Sequence, residues 1–164
     1  MTCDRIIVNA SPLIFFSKVE GLDWLTSISQ DSILIPQAVV AEIQAGSGGM
    51  DLAAELHKRS NFTIVLDISL PKEVAAWDLG AGESQVLAQC WKDPDSSCAI
   101  LDDLAARKCA KGIGARVFGT LGIVIKAKHL GLIPLVRPVI ELLLRQGMFF
   151  HINLFQFILK DVGV

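Results

Sequence analysis

The chain has 164 residues, 52% hydrophobic and 20% charged, with a formal net charge of −2. That size allows one substantial core in a single domain, residues 1–164, and no apolar run approaches the roughly 20 residues of a bilayer span. The charge is unevenly divided: residues 1 to 103 carry 15 acids against 6 Lys or Arg, a balance of −9, and residues 104 to 164 carry 2 against 9, a balance of +7.

The start MTCDRIIVNA lacks a basic region followed by an apolar stretch and a cleavage site, so no signal peptide and a cytoplasmic location are expected. RIIVNA reads as a first strand, since a run of β-branched residues ends abruptly in an amide, a small residue, a hydroxyl and a proline. A helix is predicted from about residue 12 to 29, then a strand over SILIP. Pro36 suits the first turn of the next helix, PQAVVAEIQAG, with its glycine stop. DLAAELHKRS predicts a short amphipathic helix, FTIVLDI a third strand and LGAGESQVLAQC another helix. PDSSCAILDD supplies a fourth strand, LAARKCAKG a helix closed by Gly112, and ARVFG a short fifth strand. TLGIVIKAKHLG follows as a helix that Thr120 can cap. Two apolar helical segments, about 135 to 146 and 151 to 161, finish the chain as a helical hairpin over about 134–161. Strands alternating with helices imply an α/β fold with a parallel sheet covered on both faces.

In such sheets, ligands bind beyond the carboxyl ends of the strands, where strand order reverses. Asn9 and Ser11 lie just past the first strand, and Asp102 and Asp103 just past the fourth. Glu42 sits in the helix after the second strand, and Glu83 follows two glycines that let the backbone turn closely. Each has an ordinary alternative: Asp102 or Asp103 as a helix cap, Asp103 with Arg107 as an i, i+4 pair, Glu83 as a complement to a helix dipole, Glu42 as a solvated residue. Together they offer the hard oxygen donors that Mg2+ prefers. Between Asp103 and Glu141 there is no acid, and Arg107, Lys126 and Lys128 are among the cations that can neutralise a phosphate backbone. Cys3, Cys90, Cys98 and Cys109 lack CxxC spacing, so neither a zinc site nor a thioredoxin motif is indicated, and reduced, mostly buried thiols are expected.

IVNASPLIFFSKVEGLDWL, ILIPQAVVAEI, LGAGESQVLAQC, AILDDLAARKCAKGIG and VFGTLGIVIKAKHLGLI, taken in order, resemble the successive motifs of PIN-domain proteins, specifically a VapC-like prokaryotic subfamily. The resemblance covers about residues 5 to 160. It implies a three-layer α/β/α sandwich around about five parallel strands, with extra C-terminal helices. It also implies an Mg2+- or Mn2+-dependent ribonuclease acting on single-stranded RNA, commonly the toxin of a toxin–antitoxin pair and often a homodimer.

On that resemblance the second, third and fourth acids of the family fall on Glu42, Glu83 and Asp103, with Asp102 beside the last. The first acid falls on Asn9, with Ser11 at the nearby hydroxyl position and Thr120 in support. Asn9 can offer a carbonyl oxygen but no charge, so weaker ion binding is expected, and the alternative is a PIN-like RNA-binding or regulatory protein that does not cut. Arg107, Lys126 and Lys128 are expected to hold flanking phosphates. A receiver domain would want its acidic pair after strand one, a haloacid dehalogenase-type phosphatase an aspartate where Asn9 stands, and GIGARVFG lacks GxGxxG spacing.

Overall fold

A computed structural model describes residues 3–162. In chain order the elements are β1 (Arg5–Val8), α1 (Ala10–Lys18), α2 (Leu22–Ile28), β2 (Ile33–Pro36), α3 (Gln37–Ala45), α4 (Gly49–Lys58), β3 (Phe62–Val65), α5 (Lys72–Ala75), α6 (Ala81–Trp91), β4 (Ser97–Ile100), α7 (Leu104–Gly112), β5 (Arg116–Phe118), α8 (Thr120–His129), α9 (Val136–Arg145) and α10 (Ile152–Val162). The five strands form one sheet in the order β3-β2-β1-β4-β5, and every pair is parallel. The architecture is the expected α/β/α sandwich.

The central strands explain the order. Ile6, Ile7 and Val8 of β1 and Cys98, Ala99 and Ile100 of β4 are fully buried, so both faces of the sheet need helical cover. Removing each large apolar side chain from water stabilises the fold by about 1.5–3 kcal/mol. The helices supply matching buried faces, among them Leu13 and Phe16 of α1, Val39 and Ile43 of α3, Val86 and Leu87 of α6, and Ile123 and Val124 of α8. At the end of the chain α9 packs on α8, and α10 touches α9. Among the described residues no helix is long and apolar enough to cross a membrane.

Three expectations need correction. The helix expected over residues 12 to 29 is two helices, α1 and α2. The Gly21 N–H donates to the Phe16 carbonyl (2.8 Å), Glu20 takes φ 56°, and the chain leaves α1 in a Schellman turn. Gly21 is required there, because a Cβ would lie 2.5 Å from the Trp24 ring. The second correction concerns α7: Gly112 is its last helical residue, and Gly114, at φ 80°, makes the turn. Its N–H reaches the Lys111 carbonyl (3.1 Å), and the Ala115 N–H reaches that of Ala110 (3.0 Å). Third, the cysteines are not all thiols. Cys3 and Cys98 form a disulfide, 95 residues apart in sequence, while Cys90 and Cys109 are free and buried, and burial pushes the Cys90 thiol up to about 12.

Candidate functional site

β1 has β2 on one side and β4 on the other, so the chain's direction of travel across the sheet reverses between β1 and β4. Val8 pairs in register with Ile100, which puts Asn9 beside Leu101 and one residue from Asp102 at that reversal. The Asn9 N–H continues the ladder to the Ile100 carbonyl (3.1 Å). Asn9 then caps α1 by position only, because its side chain makes no capping hydrogen bond. The residue is 5% exposed, and its Oδ1 is buried without a partner. A buried acceptor left unmatched costs about 1–3 kcal/mol, so this atom requires an explanation beyond folding.

The adjacent Asp102 and Asp103 do different things. Asp102 Oδ1 accepts from the Thr120 N–H (2.7 Å) and Oδ2 from the Thr120 hydroxyl (2.6 Å), which ties the end of β4 to the start of α8. Thr120 therefore does not cap α8 with its own side chain. Gly119 is the capping residue, and a Cβ on it would stand 3.1 Å from Asp102 Oδ1 and run into the Arg107 guanidinium. Asp103 caps α7, its Oδ2 accepting from the Ala106 N–H (2.9 Å). The i, i+4 pairing of Asp103 with Arg107 is not among the ion pairs of the described residues. Arg107 instead reaches toward Gly119.

Glu42 and Glu83 arrive on α3 and α6, which pack against each other. The Gly82 N–H, in the first turn of α6, donates to Glu42 Oε1 (2.8 Å). Only glycine permits that approach, since a Cβ at position 82 would lie 2.6 Å from Glu42 Oε2. Glu83, next in sequence and half-buried, holds its proton more tightly than an ordinary glutamate. Burial is the main cause, followed by the charge of Asp103, with a smaller contribution from Glu42 and opposition from a hydrogen bond to the Gly80 backbone. Two carboxylates from other segments, Asp103 and Glu42, thus bear on Glu83.

The shift has a measurable consequence. The folded chain keeps the Glu83 proton to higher pH than the unfolded chain does. Stability attributable to this group is therefore lost as pH rises from the ordinary value of 4.5 through the folded value. Glu83→Gln removes that loss. In EDTA the variant melts at a higher temperature than wild type at pH 7, and the two converge below about pH 4 in thermal scans; a difference independent of pH contradicts the crowding.

Among the described residues no group of three His, Cys, Asp or Glu side chains is close enough to hold one ion as its ligands. Mg2+ keeps several waters and takes only one or two protein carboxylates, so its demands are smaller than that. The donors at the rim are oxygens, one of them, Asn9 Oδ1, is buried and unmatched, and Glu83 is already crowded by negative charge. This set fits a hard divalent cation.

The remaining expected site residues divide. Ser11 is exposed in the first turn of α1, two residues past Asn9. Lys126 and Lys128 occupy the last turn of α8, about 9 and 12 Å along the helix from Thr120 at 1.5 Å per residue. The Lys128 ammonium donates to the Pro134 carbonyl, where it fastens the α8–α9 connection. Neither lysine stands at the rim, whereas Arg107 does. Sequence spacing could not reveal the Asp102–Thr120 and Glu42–Gly82 contacts, although the glycines of LGAGE signalled a close approach of some kind.

A family model described as DUF3368: PIN domain matches residues 5–164. No curated protein matches the chain.

Proposed function

Because the chain belongs to the PIN-domain family DUF3368, a nuclease-type fold, we propose that it is a divalent-metal-dependent endoribonuclease of single-stranded RNA. What supports this best is geometry: Asn9, Asp102 and Asp103 follow the paired strands β1 and β4, and Glu42 accepts from the Gly82 N–H, one residue before Glu83. One or two of Glu42, Glu83 and Asp103 would hold Mg2+ or Mn2+ directly and the rest through its waters, with Asn9 Oδ1 as a neutral donor. A divalent cation bound there supplies Lewis-acid activation of a water and neutralises charge on the phosphate.

The chain's own residues do the rest. Gly82 fixes the Glu42 carboxylate through its N–H, and Asp102 anchors α8 by holding Thr120, so Asp102 acts as a positioning residue rather than a ligand. Arg107, beside Asp102, offers a cation to the phosphate next to the cut.

Gly82→Ala tests the site without deleting a carboxylate. Alanine favours the helix over glycine, and the atom it displaces is the flexible end of Glu42, so the melting temperature should stay within about 3 °C of wild type. Mn2+-dependent cleavage of a single-stranded RNA should fall about 10- to 100-fold, and Glu42→Ala and Asp103→Ala should abolish it. Wild-type protein that leaves the RNA intact in Mn2+ refutes the enzyme and favours the second reading, RNA binding without cutting, which the neutral Asn9 supports.

The motif order supports a finer assignment as a VapC-like toxin with an antitoxin partner. Leu130, Leu132, Leu135 and Leu144, exposed on and before α9, are apolar surface that a second copy of the chain would cover, which supports a homodimer. A monomeric mass in light scattering at micromolar concentration would refute the dimer.

A further inference from the structure

We propose that the apolar cavity beside Asp102 is a nucleobase subsite, which seats the base of a nucleotide flanking the scissile phosphate by stacking it on phenylalanine rings. The proposal rests on the RNA reading above and extends it to a cavity whose lining is mostly apolar.

The cavity, of about 360 Å³, opens where β5 ends. Phe118, at the end of β5, and Phe149, Phe150 and Phe157, from the α9–α10 connection and α10, are in its lining, and Asp102 and Arg107 are the charged groups there. Phe150 is steadied by Phe155, with ring centroids 6.1 Å apart and planes at 54°. A volume near 360 Å³ lies in the range of small-molecule sites and admits a flat heteroaromatic ring. The lining matches the two halves of a nucleotide: phenyl faces for the π-face of any base, and a guanidinium for the phosphate or the base edge.

Two observations favour RNA over another apolar ligand. Phe149 is 90% exposed, and its neighbour in the lining, Arg107, takes part in none of the ion pairs of the described residues. An exposed ring and a guanidinium without an ion pair in one lining suit a ligand that is both aromatic and anionic. The cavity also shares Asp102 with the carboxylate rim, and Asp102 is bonded to Thr120 only two residues beyond Phe118. A base seated among these rings therefore brings its own phosphate toward the place where cutting is proposed. The exposed leucines proposed for the dimer are not among the residues of this lining.

The test is binding without metal, which separates this proposal from the cleavage reading. A fluorescently labelled ten-nucleotide single-stranded RNA is titrated in EDTA with wild-type protein, Phe149→Ala and Phe149→Trp, and anisotropy is recorded. Phe149 is so exposed that its truncation spares the core. We expect Phe149→Ala to weaken binding about 5- to 100-fold and Phe149→Trp to preserve or tighten it. The same RNA carrying abasic sites should bind wild type and Phe149→Ala alike. Wild-type protein that fails to bind the RNA, or binds intact and abasic RNA equally, overturns the subsite. So does a Phe149→Ala variant that changes the oligomeric mass but not RNA affinity, which would assign the cavity to a second copy. Retained, stacking-dependent binding by a protein that never cuts in Mn2+ would leave the subsite standing and remove only the nuclease.

Discussion

Asn9→Asp lowers the stability of the metal-free protein and makes that stability depend on a divalent ion. The position is 5% exposed, and the wild-type Oδ1 has no hydrogen-bond partner, so a carboxylate placed there is shielded from bulk solvent and finds no protein donor waiting. A buried charge without compensation costs several kcal/mol or else takes up a proton. We expect a loss of about 2–3 kcal/mol, which lowers the melting temperature by roughly 4–12 °C for a chain of this length.

The sign with pH follows from the direction of the shift. Burial raises the folded pKa of the new aspartate above its unfolded value. The penalty is therefore absent below about pH 4, grows as pH rises toward the folded value, and is complete above it. Mn2+ or Mg2+ at about one hundred times its dissociation constant restores about 2.7 kcal/mol. If the proposed donors hold the ion, cleavage rises in the same variant, because the missing negative charge is the one element that the rim lacks. Equal melting of Asn9→Asp and wild type in EDTA, with no response to either ion, would show that Asn9 Oδ1 does not face a cation site.

The sheet was legible because its signal is local. Runs such as IIV, ILI and CAI are dense enough in apolar residues to identify strands buried on both faces, and the alternation with helices then fixes a parallel order. The positions of Asn9, Asp102 and Asp103 followed from where those strands end. What stayed hidden depends on pairs distant in sequence. Cys3 and Cys98 meet because one precedes β1 and the other lies in neighbouring β4, and no spacing rule announces that. The break between α1 and α2 turns on the Trp24 ring lying over Gly21, a contact that periodicity read as continuous helix. Lys126 and Lys128 were placed by charge alone, yet helix rise carries them away from the rim.

Asp102→Ala and Asp103→Ala, one residue apart, should separate stability from chemistry. Thr120 is fully buried, and its N–H and hydroxyl both depend on Asp102. Removing that carboxylate leaves two buried donors unmatched at about 1–3 kcal/mol each and takes a negative charge from the start of α8. We expect a total loss of about 2–5 kcal/mol, a fall of roughly 5–15 °C in melting temperature. Asp102→Asn, which keeps an acceptor oxygen for one of the two donors, should recover about half. Asp103 is exposed and supplies a single capping bond to Ala106, worth about 1 kcal/mol. Its removal also relieves the repulsion on Glu83, which offsets part of that cost. Asp103→Ala should therefore remain folded at 37 °C and yet lose cleavage entirely, while residual activity in Asp102→Asn should follow the fraction folded. Equal destabilisation by the two alanines would mean that Asp103, too, serves the fold first, and the carboxylate rim would then lose the member that most strongly perturbs Glu83.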